Sequence, residues 1–161
     1  MPEPEASRPH MPGYGILDAD NGKGLLPWSW ATDRLAKAHT YWVATMRSDA
    51  RPHVMPVWGV WLDDAFCFST GSQSRKARNL AESPRCVIAC ELDQDQIIVE
   101  GVAEIMNDSE LKRRFAEAYG PKYEYDMEGF NEPVYAVRPA VVFGFTTAGG
   151  EFTGTATRWA F

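Results

Sequence analysis

The chain has 161 residues, with 45% hydrophobic residues, 24% charged residues and a formal net charge of −6. Its length is sufficient for a core of its own, and its composition is that of a globular protein, not a disordered or fibrous one. The acidic balance argues against nucleic acid or an anionic membrane as the main partner. Because no apolar run reaches membrane-spanning length and no charged-then-apolar leader is present, we expect a cytoplasmic protein.

The N-terminal residues 1–26 are expected to form a flexible arm, and residues 27–161 one folded domain. The arm is rich in residues that interrupt regular structure. These are Pro2, Pro4, Pro9, Pro12, Gly13, Gly15, Gly22 and Gly24. After the arm, Ser29 is expected to cap a helix that runs to about His39.

Alternating apolar residues predict strands over most of the remaining chain. The predicted strands are 41–46, 52–62, 65–70, 86–92, 96–106, 134–138 and 140–146. Helices are predicted at 74–81 and from Asp108 or Ser109 to Gly120 and Pro121. Six or seven strands, joined mostly by tight turns, indicate a mainly β fold. We expect a small closed or split β-barrel, not a βαβ layout.

The three cysteines are expected to be buried small hydrophobic residues in a reducing cytosol. Cys67, Cys86 and Cys90 all lie in strand-like runs, and no CxxC pair occurs. This pattern disfavours a zinc site or a disulfide framework.

The most informative segment joins the predicted strand at 65–70 to the helix at 74–81. It contains Ser69, Thr70, Gly71, Ser72, Gln73, Ser74, Arg75 and Lys76. Arg75 and Lys76 stand in the first helical turn, where the helix dipole already concentrates positive charge. An anion resolves this conflict, so the cations, small hydroxyl residues and free N–H groups predict a phosphate site. A solvated basic helix face is the alternative.

The predicted strand at 52–62 contains an irregular stretch, Met55-Pro56-Val57-Trp58-Gly59-Val60. Pro56 cannot donate a ladder hydrogen bond, and Gly59 lets another group approach the backbone. These features suit a flat heteroaromatic ring bound along freed backbone groups. A bulged edge strand without a ligand is the alternative.

The sequence contains no evident set of side chains for acid–base or nucleophilic catalysis. The histidines are His10, His39 and His53, far apart in the chain, and we expect His53 to be solvated or structural. If the protein is an enzyme, a bound cofactor should supply the chemistry. The apolar C-terminus is expected to dock, either as a strand or subunit contact or with Arg158 and Trp159 against a ligand.

Two segments resemble the pyridoxamine 5'-phosphate oxidase superfamily. The first contains Phe66–Thr70 and Ser74-Arg75-Lys76, and the second opens at Gln96 and leads to Gly101 and Ala103-Glu104. The resemblance implies a split β-barrel homodimer with its cofactor at the subunit interface. It assigns Arg75 and Lys76 to the cofactor phosphate, and Ser69 and Thr70 to the ring or ribityl region. It places the backbone of Met55 to Val60 along the ring, and Gln96 near the polar edge of the ring.

Other features are similar to an actinobacterial branch that often uses the deazaflavin coenzyme F420 instead of FMN. These are Leu26-Pro27-Trp28, the run from Pro52 to Trp58, Tyr135–Pro139 and Thr157-Arg158-Trp159. In the vitamin enzyme, a C-terminal Trp followed by Arg-Leu-x-Pro binds pyridoxine phosphate. That motif is missing here. The resemblance implies an F420-dependent oxidoreductase acting on a small molecule, with Lys37 or Arg51 near the polyglutamate tail.

Three alternatives remain open at this point. An FMN-dependent oxidoreductase belongs to the same class, and a cofactor carrier or small-ligand binder without turnover belongs to a second class. An oligonucleotide-binding β-barrel fits the strand count, but the net charge and the lack of a basic-aromatic face oppose it.

Overall fold

The computed structural model describes residues 3–19 and 21–161, so Met1, Pro2 and Asp20 lie outside the described residues. The strands are β1 Glu5–Ser7, β2 Tyr41–Met46, β3 Pro52–Val57, β4 Gly59–Leu62, β5 Ala65–Ser69, β6 Arg85–Leu92, β7 Asp95–Ile105, β8 Val134–Thr146 and β9 Thr157–Ala160. The helices are α1 Trp28–Lys37, α2 Arg75–Glu82, α3 Ser109–Tyr123 and α4 Phe152–Thr155, with a 3-10 helix at Ala148–Gly150.

The strands form one antiparallel sheet that curls back on itself. Its main path is β1-β9-β8-β7-β6-β2-β3, and β5 joins the path by pairing with both β8 and β4. In the chain, only Trp58 lies between β3 and β4, so these two edge strands are adjacent in space. The strands between them therefore curl round and enclose the core. This confirms the predicted mainly β, split-barrel architecture. The described residues form nine strands, not six or seven.

Two predicted strand boundaries were wrong. The strand predicted at 52–62 is divided at Trp58 into β3 and β4. The strands predicted at 134–138 and 140–146 are one strand, β8, in which Ala140 is the extra residue of a bulge opposite Glu100 and Gly101. A bulge accommodates Pro139 without ending the strand.

The N-terminal segment, expected to be a flexible arm, packs on the domain over its described part. Its strand β1 pairs with β9, so Ala6 lies opposite Trp159. Arg8 is 6% exposed, and its guanidinium donates hydrogen bonds to the carbonyl groups of Asn21, Lys23 and Ala156. These contacts join the segment to the C-terminal strand, a pairing that local composition does not reveal.

Helix α1 covers one end of the core with Ala31, Leu35 and Ala38, all fully buried. It begins at Trp28 with Pro27 as its N-cap, so Ser29 is not the cap that the sequence predicts. Pro suits the start of a helix because the first N–H groups there have no intrahelical acceptor.

The described cysteines are buried and free, as predicted. Burial raises the pKa of the Cys67, Cys86 and Cys90 thiols to about 12, so they remain protonated hydrophobic groups at neutral pH. No helix in the described part of the chain is long and apolar enough to cross a membrane.

Candidate functional site

The loop between β5 and α2 is organised by its own hydroxyl groups. Ser74 is the N-cap of α2, and its Oγ accepts the Ala77 N–H at 3.1 Å. Thr70 Oγ1 donates to Ser74 Oγ at 3.0 Å. Ser74 therefore retains its own hydroxyl proton for a ligand. The N–H groups of Arg75 and Lys76, in the first turn, have no intrahelical acceptor.

A buried hydrogen bond fixes α2 against the hairpin of β2 and β3. Asn79 Nδ2 donates to Thr45 Oγ1 at 2.9 Å, and both residues are buried. Arg75 and Lys76 precede Asn79 by four and three residues, so they share its face of the helix. The cations predicted from the sequence therefore lie along the face of α2 that contacts the hairpin.

The hairpin brings two further basic residues, His53 and Arg47, to the same place. His53 is the cross-strand partner of Thr45, so their side chains lie on one face of the sheet. Burial, together with the charges of Arg47, Lys76 and Arg75, lowers the pKa of His53. Burial also lowers the pKa of Lys76. A cationic cluster that disfavours its own charged forms is suited to an anion.

Two nitrogen atoms in this cluster are buried without a hydrogen-bond partner among the described residues, Arg47 Nε and His53 Nδ1. Leaving a buried polar group unpaired costs about 1–3 kcal/mol. Buried groups of this kind are unusual unless a ligand or an ordered water satisfies them. Their chemistry fits phosphate, whose oxygens accept hydrogen bonds from arginine and imidazolium.

The irregular stretch at the other end of β3 is positioned by the end of α3. Trp58 stacks on Tyr123 with ring centroids 4.8 Å apart, and it remains 42% exposed. The Gly59 N–H donates to Tyr123 Oη at 2.9 Å, while the Gly59 carbonyl accepts from Tyr123 Oη and from Lys122 Nζ. The backbone of Gly59 is therefore not free for a ring, which corrects that expectation.

The buried members of this stretch have packing roles. Val57 and Val60 are 8% and 4% exposed. A Cβ at Gly59 would lie 2.3 Å from Phe66 Cζ, so glycine is required by close packing rather than by a ligand. The exposed members are Met55, Pro56 and Trp58, and these are the ones available to a bound molecule.

A cavity of about 290 Å³ lies beside Trp58. Its lining residues are Thr40, Pro56, Val57, Trp58 and Tyr119. Val57 is four residues from His53 along β3, which corresponds to about 13 Å in an extended strand. The cationic cluster and the cavity beside Trp58 thus lie near opposite ends of one strand.

The structure separates three other predicted residues from this strand. Gln96 neighbours the buried Ile97 in β7 and lies on the opposite, outer face of the sheet. Arg158 lies in β9, with β8, β7, β6 and β2 between it and β3. Trp159 is fully buried and packs against Trp28 and Trp30, so the expectation of a ligand contact from Trp159 was wrong.

Some predicted polar groups already have partners within the chain. Ser69 Oγ donates to the Pro133 carbonyl at 2.8 Å, which fixes the end of β5 beside β8. Lys37 pairs with Asp33 at 2.7 Å, and Arg51 pairs with Asp49 at the same distance. These pairs are exposed surface contacts, so they do not prevent ligand binding.

Lys122 was not identified as a site residue from the sequence. It holds the backbone of Gly59, next to Trp58, in place. Its ammonium donates to the Ala36 carbonyl, the Tyr41 hydroxyl and the Gly59 carbonyl at 2.9–3.0 Å. Burial lowers its pKa to about 8. Three acceptors match the three donors of an ammonium group, so its contacts connect α1, β2 and β4 and leave no donor for a substrate.

The comparisons with known proteins agree with this architecture. The family model described as pyridoxamine 5'-phosphate oxidase matches residues 31–149, and the chain therefore belongs to that family. No curated protein matches. The chain is one member of a family whose fold and residue pattern it shares.

Several solved structures have the same fold. A conserved hypothetical protein, Rv2991 from Mycobacterium tuberculosis, is 20% identical with a TM-score of 0.70, over 78% of this chain and 88% of that one. A structure described as an F420 reductase is 22% identical with a TM-score of 0.56, over 68% and 93% of the two chains. The heme storage protein HutZ from Vibrio cholerae is 21% identical with a TM-score of 0.57, over 70% and 87%.

Proposed function

We propose that this protein is a deazaflavin-dependent oxidoreductase that uses coenzyme F420. The observation that carries the proposal is the cationic cluster at the start of α2, lying about one strand length from an aromatic cavity. The residue pattern similar to the F420-using branch, and the fold shared with an F420 reductase, support F420 over FMN. When bound, such a cofactor supplies hydride transfer to or from a small organic molecule.

The chain's own residues would bind and orient the cofactor. Arg75, Lys76 and the Ser74 hydroxyl hold its phosphate with charge-assisted hydrogen bonds. Trp58 and Pro56 present apolar surface to its ring beside the cavity. The protein's contribution is to position the cofactor and the substrate, not to supply a nucleophile.

A second copy of the chain would complete the site. The outer face of β2, β3, β6 and β7 exposes large apolar side chains, Trp42 at 50%, Met46 at 45%, Val54 at 50% and Val102 at 39%. Isolated exposed apolar residues are ordinary, but a contiguous patch of this kind marks an interaction surface. We assign this face to a homodimer interface, with Gln96 on the same face reaching the ring bound by the partner.

The first prediction concerns Lys76→Ala. We expect this change to weaken cofactor binding by about 1.5–3 kcal/mol, the scale of a hydrogen bond to a charged group. The measurement is fluorescence titration of the purified protein with F420 and, separately, with FMN. Lys112→Ala is the matched control, because Lys112 is an exposed lysine on α3 and its loss should leave the affinity unchanged.

The titration also separates the alternatives. Tight FMN binding without a response to F420 would show that the cofactor is FMN and not F420. Cofactor binding without hydride transfer to quinones, enones or biliverdin-like tetrapyrroles would identify a carrier. Unchanged affinity in a variant that carries both Arg75→Ala and Lys76→Ala would refute the phosphate site.

A further inference from the structure

The cationic cluster extends beyond the two residues that the sequence pattern identifies. Arg47 and His53 belong to the β2–β3 hairpin, whereas Arg75 and Lys76 belong to α2. The Asn79–Thr45 hydrogen bond holds helix and hairpin together. His53 lies opposite Thr45 in the sheet. Arg47 follows the last residue of β2 and lies close enough for its charge to act on His53.

Two nitrogen atoms in this cluster have no hydrogen-bond partner among the described residues. Arg47 Nε and His53 Nδ1 are buried and have no hydrogen-bond partner in the described part of the chain. Arginine and lysine can only donate, so they cannot satisfy one another. Asp49 lies in the same hairpin, but its carboxylate accepts hydrogen bonds from the Arg51 backbone and side chain.

We infer that Arg47 and His53 complete the phosphate site, and that phosphate binds there together with a proton taken up by His53. This inference rests on the proposed function, because it concerns the same cofactor phosphate. The proton comes from solvent and binds to the neutral imidazole, and Nδ1–H then donates to a phosphate oxygen. No covalent bond to the ligand forms.

The charges around His53 explain why binding and protonation are linked. Burial is the largest cause that lowers the His53 pKa, and the positive charges of Arg47 from its own hairpin and of Lys76 and Arg75 from α2 lower it further. A bound phosphate is negatively charged: a monoester such as that of FMN carries about −1.5 to −2 charges at pH 7, and the phosphodiester of F420 is also an anion. That charge offsets the three cations and favours imidazolium, so the His53 pKa rises on binding.

The sign of the pH dependence follows from this linkage. Because the bound state holds one more proton than the free state, phosphate affinity should fall as pH rises between the free and bound pKa values of His53. The largest effect is about tenfold in the dissociation constant per pH unit. A phosphate monoester itself titrates near pH 6 and acts in the opposite direction, so the comparison must be made against a variant without the imidazole.

The test is NMR titration of the histidine side chains, with and without saturating inorganic phosphate. Only His10, His39 and His53 are present, so His53→Gln identifies the resonance. We expect the His53 pKa to lie below its usual range in the free protein and to rise by about one unit or more with phosphate. His39 and His10 should not respond, and an unchanged His53 titration would overturn the inference.

A second measurement uses the cofactor itself. The dissociation constant for F420 is measured against pH in the wild type, in His53→Gln and in Arg47→Gln. His53→Gln should lose the pH dependence that the imidazole contributes, whereas Arg47→Gln should weaken binding and retain that dependence. Identical pH profiles in the wild type and His53→Gln would overturn the inference, and thermal unfolding curves check that both variants are folded.

The outcomes distinguish this inference from the proposed function. If F420 and FMN both fail to bind while His53 responds to inorganic phosphate, the proposed function fails and the anion site is supported. If F420 binds to the wild type but not to Lys76→Ala, and phosphate leaves the His53 titration unchanged, the proposed function stands and the inference about His53 fails.

Discussion

At the residue scale, a glycine in a strand can be required for ligand binding or for close packing. Its neighbours in the folded chain show which of the two applies. Gly59 interrupts a β pattern, which is compatible with close approach of a ring. In the folded chain its backbone is hydrogen-bonded to Tyr123 and Lys122, and Phe66 fills the space where a side chain would stand. Gly59 therefore serves the core.

The substitution Gly59→Ala should destabilise the protein by about 1–3 kcal/mol, because overpacking forces a fully buried ring to move. Phe66 is 0% exposed and cannot swing into solvent. The free energy of unfolding, measured in urea, checks this expectation. Gly154→Ala is the control, since a Cβ there meets nothing within 4 Å; equal stability of the two variants would contradict the packing argument.

At the element scale, α2 is held in position by a polar contact that the sequence does not suggest. Its eight residues end at Glu82, and a helix so short has little stability of its own. The Asn79–Thr45 hydrogen bond crosses 34 residues of sequence and is buried. It fixes the register at which Arg75 and Lys76 meet the hairpin.

Removing this contact should affect stability and binding together. We expect Asn79→Ala to cost about 1–3 kcal/mol of unfolding free energy, because the Thr45 hydroxyl is left buried with only a 3.5 Å contact to the His53 carbonyl. Cofactor affinity should fall as α2 loses its position.

A double-mutant cycle checks the pair. Thr45→Val with Asn79→Ala should cost less than the sum of the single changes, by about 0.5–3 kcal/mol. Strict additivity in denaturation experiments would show that the two side chains do not interact. Asn107→Ala provides a reference, since Asn107 is exposed between β7 and α3.

Also at the element scale, α3 shows how tertiary contacts override local signals. Its start was predictable, because Asp108 accepts the N–H groups of Glu110 and Leu111 as a cap. Its end was not, because Gly120 and Pro121 are breaker signals and yet the helix continues to Tyr123. The last turn holds Lys122 and Tyr123 against Gly59, and these buried contacts stabilise it.

At the scale of the whole molecule, the two faces of the sheet have different tasks. The inner face forms the core, while the outer face of β2, β3, β6 and β7 is apolar and open, with a cavity of about 640 Å³ above it. A single chain would leave this surface in water. The proposed dimer buries it and brings Gln96 to the second site.

Val54→Glu should disrupt this association. It places a charge on the exposed apolar face, where burial without a partner is costly. Sedimentation velocity should give a dimer for the wild type and a monomer for the variant, with weaker cofactor binding in the monomer. Leu17→Glu is the control, since Leu17 is an exposed apolar residue in the N-terminal segment, and a monomeric wild type would contradict the interface.

The mainly β barrel, most strand positions, the burial of the cysteines and the paired cations at the start of α2 were predictable from the amino-acid sequence. These features depend on short-range patterns: alternation, turn residues and a helix cap, all within a few positions of one another. The family resemblance rested on the same local segments, and the match over residues 31–149 agrees with it.

Which residues contact one another became known from the folded chain alone. The N-terminal segment pairs with β9, and Trp159 is buried. The Gly59 backbone is hydrogen-bonded to Tyr123, and His53 and Arg47 lie near Lys76. Each of these contacts links positions distant in the chain, and their free energy comes from burial and hydrogen bonds that form only when the barrel closes. Local pattern predicted the paired cations of α2, but the closing of the barrel selected their neighbours.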